Sequence, residues 1–301
     1  MNKQKVVGVL GVSFGLGAVL SQDIIMKSLS EHYTVAQLMF VRSFFALLIL
    51  CLLLPLIADK TVLGSTKKGL QILRGSLQFL SFSCYYIALK SMPILDLVTI
   101  FFSAPLIAVA LSGPILKEKI SLKHWAAVSL GFTGALLMIR PQGQGFDQSI
   151  AVFAMGAAIL YAGSIVVTRI LGESDKGVTT ALYTSIMYAV LAGLSIPLLE
   201  YIYPLFLAED LVSTSDFWTE LRVQDVGLLA MAGAAVCIAF LLLAHAYRQA
   251  PVSVLAPWEY TALIWGGIFG FIFWNELPSM ETLLGGTLIV ASGIYIARNS
   301  D

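Results

Sequence analysis

The chain has 301 residues, of which 58% are hydrophobic and only 12% charged, and its mean hydropathy is +0.87; that charged share is about half of what a soluble domain carries. Lys plus Arg (18) balance Asp plus Glu (18) at a sequence pI near 6.8. A soluble domain is excluded, and with no basic face and no charge blocks a nucleic-acid partner is excluded too; the partner this composition implies is the lipid bilayer.

Lys3 and Lys5 precede the first apolar run, as in a secretory signal. The run continues to Ser21, Gln22 and Asp23 without a small-x-small cleavage site, so it reads as a first spanning helix. A span needs about 20 mainly apolar residues, and the sequence offers ten: 6–28, 34–57, 68–89, 94–116, 122–139, 149–171, 178–200, 224–247, 252–274 and 280–298. Short polar connections at 30–33, 91–93, 117–121 and 275–279 make successive helices antiparallel neighbours. The long connection, 201–222, carries Glu209, Asp210, Asp216 and Glu220, with Phe217 and Trp218 suited to an interface. Pro105, Pro114 and Pro257 fall inside apolar runs and free backbone carbonyls, which is tolerated where a neighbour or cavity satisfies them.

Orientation follows the basic residues. With both termini cytoplasmic, Lys3, Lys5, Lys60, Lys67, Lys68, Arg74, Lys117, Lys119, Lys123, Arg169, Lys176, Arg248 and Arg298 gather on the inner side, against Lys27, Lys90, Arg140 and Arg222 on the outer.

The sequence also matches itself. Without a gap, 88–140 lies over 246–298, pairing Ala88 with Ala246, Lys90 with Arg248, Pro93 with Pro251, Glu118 with Glu276 and Arg140 with Arg298. Repeats of this kind organise a fold. Five helices per half is an odd number, so the second half runs the opposite way. The expected fold is an all-α integral membrane protein of ten transmembrane helices in two inverted five-helix repeats, 1–141 and 142–301. That arrangement belongs to alternating-access carriers, whose site lies near the membrane midplane. Glycines in the first, fifth, ninth and tenth spans are expected to let helix backbones approach within the chain, with a homodimer surface as the alternative.

Charges repeated in both halves at helix ends read as architecture; those that break the repeat are the site candidates. Glu259 corresponds to Phe101, Arg74 to Ala232, and Arg42 lies in a second helix whose partner region, 182–188, is uncharged. An ionisable group at a helix centre costs about 2.5–3.5 kcal/mol to insert, so it should face a cavity or a partner. Arg42 and Glu259 are therefore expected either to contact solute or to form a buried ion pair. Arg74 is close enough to a helix end to snorkel. Glu259 is the first candidate for carrying a coupling proton, with Asp23, Asp96 and His245 behind it; Asp23 and Asp96 are near enough to helix ends to be solvated. Tyr85, Phe101, Trp258 and Tyr260 could stack on a ring-bearing or cationic solute. No phosphate-cradling loop, HExxH, Cys/His metal spacing or GxSxG elbow occurs, so neither an enzyme, a cofactor nor a metal is expected. Cys51, Cys84 and Cys237 read as packing residues. A non-transporting membrane sensor or membrane enzyme is the alternative of a different class.

The five-plus-five pattern, Arg42 in the second helix, and the segment from LRGSLQFLSFSCYYIALKSMPILDLVTIF to its echo ending FGFIFWNELPSMETLLGGTLIVASGIYIAR resemble the EamA type of the drug/metabolite transporter superfamily over nearly the whole chain. APWEYTALIWGGIFGFIFWNELP resembles the branch containing riboflavin and S-adenosylmethionine uptake carriers. The resemblance implies a bacterial-type inner-membrane carrier of small organic metabolites, by import or, in other members, by export of amino acids or drugs. It further implies a cavity lined by helices one, three, four, six, eight and nine.

Overall fold

The computed structural model describes residues 3–57, 64–65, 67–117, 122–139, 148–171, 177–206, 218–249 and 258–298. Among these the chain forms helices and no strand. They are α1 (Lys3–Leu29), α2 (Val35–Ile57), α3 (Lys68–Ser91), α4 (Ile94–Phe101), α5 (Ala104–Leu116), α6 (Leu122–Ile139), α7 (Gln148–Leu171), α8 (Gly177–Phe206), α9 (Val223–Gln249), α10 (Thr261–Trp274) and α11 (Met280–Arg298). Six stretches, with α4 and α5 counted as one, have the length and hydropathy to cross a membrane, and α6, α10 and α11 are shorter apolar helices. α3, interrupted by Lys68, Arg74 and Lys90, makes the tenth crossing. Side chains such as Leu52, Phe44, Val190, Ile264 and Ile272 point outward. On a chain this apolar they face hydrocarbon, which leaves close packing and interhelical hydrogen bonds to hold the helices together.

The inverted repeat is visible in the packing. α1 lies antiparallel along α9, and their counterparts α7 and α3 do the same; α6 packs on its own counterpart α11, and α4 on α10. The backbone repeats as well. Lys117 and Asn275, paired by the register of the sequence, are the two non-glycine residues with positive φ among those described, at (57°, 30°) and (55°, 31°). On the line between the halves, the equivalent residues Phe102 and Tyr260 stack on each other at 5.3 Å.

Two elements differ from expectation. The fourth span is broken at Phe102 and Ser103. Pro105 has no N–H to offer the Phe101 carbonyl, and a tight turn, Ser103 N to Ile100 O at 3.0 Å, takes the chain across the break. The ninth span, described from 258, has the matching irregularity at Tyr260 (φ −67°, ψ −6°, against −68°, −3° at Phe102). The seventh span is also longer than expected, reaching Phe206 and shortening the acidic connection. Of that connection Trp218 lies edge-on to Phe40 at 6.0 Å, while Glu209, Asp210, Asp216 and Phe217 are outside the described residues, as are Glu118 and Arg140.

The glycines serve packing within the chain. A Cβ at Gly134 would stand 2.6 Å from the Gly285 carbonyl oxygen, so α6 and α11 touch backbone to backbone there. A Cβ at Gly11 would stand 2.9 Å from the Ala246 Cβ, and one at Gly15 3.0 Å from the Leu243 Cγ, so α1 lies close against α9.

Candidate functional site

A cavity of about 210 Å³ lies between α1, α2, α3, α8 and α9. Its wall runs along α2 from Arg42 to Leu53, about 16 Å at the helical rise. It thus reaches from the middle of the bundle toward the end at which α1 begins, here called the near end. Most of the lining is apolar, including Val19, Leu50, Phe82, Val236 and Leu241. The polar lining is Gln22, Arg42, Ser43, Arg74, Gln78, Thr184 and Ser185, with Tyr188.

Arg42 is buried at 5% exposure. Its Nη1 donates to Gln22 Oε1 at 2.6 Å and to the Tyr86 hydroxyl at 3.3 Å, and its guanidinium lies over the rings of Tyr86 and Tyr188 at 5.4 and 5.7 Å. Hydrogen bonds involving a charged group contribute about 1.5–3 kcal/mol each, enough for these contacts to offset the insertion cost of the charge. The buried ion pair with Glu259 that the sequence allowed does not form; Gln22 and Tyr86 hold Arg42 instead. Behind this group lies Asp23, at 2% exposure, accepting hydrogen bonds from Tyr85 at 3.0 Å and Tyr86 at 3.2 Å. The expectation that Asp23 is solvated is therefore corrected. Distance from a helix end says little about exposure when two tyrosines of a neighbouring helix cover the carboxylate.

Arg74 does not snorkel away. Its Nε donates to Thr168 at 2.7 Å and its Nη1 to Thr184 at 2.6 Å, joining α3 to α7 and α8 at the cavity wall. Phe82 is the hub of the aromatic residues, with Tyr85, Tyr86, Phe101, Tyr161 and Tyr188 all within 6.2 Å of it, ring centre to ring centre. Phe101 packs on Tyr161 at 4.9 Å and on Tyr85 at 5.3 Å, so it supports the wall without bordering the cavity. Glu259 acts electrostatically on Tyr161, beyond Phe82. Tyr260 stacks on Phe102, its hydroxyl lying where a side chain at position 293 would be, which requires Gly293. Trp258 is 42% exposed, His245 is exposed, and Asp96 accepts a short bond from Thr282 across to α11. None of these last five borders the cavity. The described residues that border it belong to spans one, two, three, seven and eight, whereas the resemblance implies spans one, three, four, six, eight and nine. The rings of Phe82, Phe101 and Tyr161 fill the space toward spans four and six.

Sequence reasoning passed over Gln22, Ser43, Gln78, Thr184, Ser185 and Tyr188. The available signal was an uncharged polar residue inside an apolar span, read at its level in the membrane and not for its charge.

At the far end the structure is closed. Lys27 is buried at 9% exposure and donates to Glu276 Oε1 at 2.6 Å and to the Met92 carbonyl at 3.0 Å, with Trp274 4.8 Å away. Glu276 Oε2 in turn accepts the Ile94 N–H at 3.0 Å. This ties the end of α1 to the α3–α4 turn and to the segment after α10. Outside it, the Tyr33 hydroxyl donates to Asp225 at 2.5 Å and Gln37 exchanges hydrogen bonds with the Thr219 backbone. Donation to Asp225 is the main reason that the Tyr33 phenol is held above its ordinary pKa of 10.0.

Ten apolar crossings in inverted halves, with a polar-floored cavity open to the midplane, define a multi-pass membrane protein of the transporter class. The chain belongs to the EamA-like transporter family, which matches it twice, over residues 8–140 and 148–298. It is 24% identical over 292 residues to an S-adenosylmethionine uptake transporter of Rickettsia bellii (strain RML369-C), covering 95% of this chain and 93% of that one. It is likewise 24% identical over 276 residues to a pseudopaline exporter of Pseudomonas aeruginosa (strain UCBPP-PA14), covering 91% and 90%. A crystal structure 18% identical to the chain shares its fold, with a TM-score of 0.58 over 96% of both chains. Family and relatives are transporters, not enzymes.

Proposed function

We propose that the chain is a secondary carrier moving a small organic solute by alternating access, its two halves, 1–141 and 142–301, working against each other around the central cavity. The observation that carries this reading is the asymmetry of the cavity. Its lining runs toward the near end, while the far end is crossed by the Lys27–Glu276 bridge and the Asp23–Tyr85–Tyr86 group. With both termini cytoplasmic, this is the inward-facing state in a bacterial-type inner membrane. Arg42 and Arg74 contact the solute, and Glu259 carries the coupling proton. The solute is amphipathic, ring-bearing or amino-acid-like. Uptake of an S-adenosylmethionine-type or riboflavin-type compound is favoured, and export of an amino acid or drug is the second reading; the relatives named for uptake and for export support both directions.

Cys237 on the cavity wall gives the test. In a Cys51→Ser/Cys84→Ser background, reconstituted protein should react at Cys237 with a membrane-impermeant thiol reagent from the near side. A transported solute, S-adenosylmethionine being tried first, should make the thiol reactive from the far side as well. Labelling from the near side alone under every solute, together with no solute-driven flux, would end the alternating-access reading.

A further inference from the structure

We infer that the cavity is built for the carboxylate of a small organic acid, received by the free edge of the Arg42 guanidinium. The inference rests on the carrier reading above and narrows its solute: S-adenosylmethionine and amino acids carry a carboxylate, riboflavin does not.

Among the described residues, the charged side chains bordering the cavity are Arg42 and Arg74, and no Asp or Glu borders it. Two guanidinium groups thus stand on a wall that is otherwise mostly apolar and does little to screen their charge. The two arginines are not equivalent. Arg74 already donates to Thr168 and Thr184. Arg42 makes both of its hydrogen bonds through Nη1, while its Nε, buried with the rest of the side chain, has no partner. Tyr86 and Tyr188 hold the guanidinium in place by their rings. What remains is the Nε–Nη2 edge, two parallel N–H groups in the fork that matches a planar carboxylate. Asp23, the carboxylate nearest in function, does not occupy that edge; its oxygens are taken by Tyr85 and Tyr86.

Two further polar atoms of bordering residues are also left without partners, Ser43 Oγ and Gln78 Oε1. Buried polar atoms are nearly always paired in a folded protein. Three unpaired ones around one cavity mark where a ligand completes the structure. Ser43 is next to Arg42 in the chain, and Gln78 is joined to the Arg42 site through Tyr188, whose hydroxyl donates to the Gln78 backbone carbonyl at 3.0 Å. The remaining wall, Val19, Phe82, Val236 and Leu241, suits a carbon skeleton or ring. A phosphate would ask for more donors than one guanidinium edge. A cavity of about 210 Å³ also lies below the usual range for ligand pockets, roughly 300–1,000 Å³, which favours a small solute.

The test uses the purified full chain and matched pairs: S-adenosylmethionine with its decarboxylated form, methionine with methioninamide, tryptophan with tryptophanamide, and ribose 5-phosphate with ribose. A ligand of the native state raises apparent stability by mass action, so affinities follow from the shift in melting temperature. At least one acid should bind about tenfold or more tightly than its partner lacking the carboxylate, the scale of one charge-assisted bidentate contact. Arg42→Gln should reduce that ratio to near one, and Arg42→Lys should restore only part of it. If Arg42→Gln does not fold, Gln78→Glu serves instead: a carboxylate on the wall should weaken the acid by about tenfold and spare the amide. The inference is overturned if no acid stabilises, if acid and amide bind alike, if the preference survives in Arg42→Gln or Gln78→Glu, or if only the phosphate stabilises. Counterflow of the same compounds in proteoliposomes separates the two readings. Flux without acid preference keeps the carrier and refutes the carboxylate site; acid binding without flux of any compound refutes the carrier.

Discussion

Replacing Glu276 by Gln should loosen the far-end seal. Glu276 keeps its size and its ability to accept the Ile94 N–H, but loses the charge that faces Lys27. Breaking a fully buried ion pair costs about 3–5 kcal/mol, whereas an exposed one contributes about 0–1 kcal/mol. With side-chain exposures of 9% and 19% this pair lies between those limits, and about 2 kcal/mol is a fair value. Lys27 retains the Met92 carbonyl and the Trp274 ring, which argues against the upper limit. If the pair exists only while the far end is closed, that amount shifts the closed-to-open equilibrium by about 30-fold. Native-state hydrogen exchange of the peptide holding Ile94 reads the shift directly, since its amide is covered by Glu276 when the seal is made. Exchange should quicken by about 30-fold in Glu276→Gln, similarly in Lys27→Met, and by less than the product of the two in the double variant. Exchange within about threefold of the parent in both single variants would refute the assignment of the bridge as a seal.

Gly134→Ala should lower stability by about 1–3 kcal/mol, because the added methyl meets the Gly285 carbonyl and not a side chain that could turn away. Gly69→Ala, whose added methyl meets open space, should be neutral or stabilise by up to about 1 kcal/mol in parallel thermal melts. Glu259→Gln should abolish the pH dependence of solute uptake in proteoliposomes; an unchanged profile removes Glu259 as the proton carrier. The raised Tyr33 phenol contributes stability that is complete below pH 10 and is lost as pH rises through its higher folded value. Asp225→Ala should bring that ionisation down toward 10, measured as the tyrosinate absorbance difference between each protein and its Tyr33→Phe counterpart.

The spans and their inverted pairing were legible because the membrane imposes a length and a polarity on each crossing, and because the repeat held its register from Ala88 to Arg140. Arg42 stood out for the same reason, a charge where none is cheap. Other features were set by contacts between helices, which periodicity within one helix does not report. Asp23 is buried by tyrosines from α3, not by its own neighbours. Lys27, which counts as a loop-side charge in an orientation tally, is drawn inward by a glutamate 249 residues away. Gln22, Ser43 and Gln78 carry no charge to mark them, and a serine or glutamine in a span is as often packing as site. The break before α5 was half visible: Pro105 gave its neighbourhood, but whether an apolar run with a proline bends or separates depends on the rings that fill the gap.

The stacked pair Phe102 and Tyr260 has a consequence for chemistry. Where two copies of one sequence meet across a two-fold axis, each residue near the axis faces itself, so a carboxylate there confronts a second carboxylate and neither ionises freely. Joining both copies in a single chain removes that constraint. Here the axis passes between a phenyl and a phenol, and the neighbouring positions are Phe101 on one side and Glu259 on the other. The fold keeps its two-fold symmetry, while this part of the bundle holds one carboxylate without its mirror image.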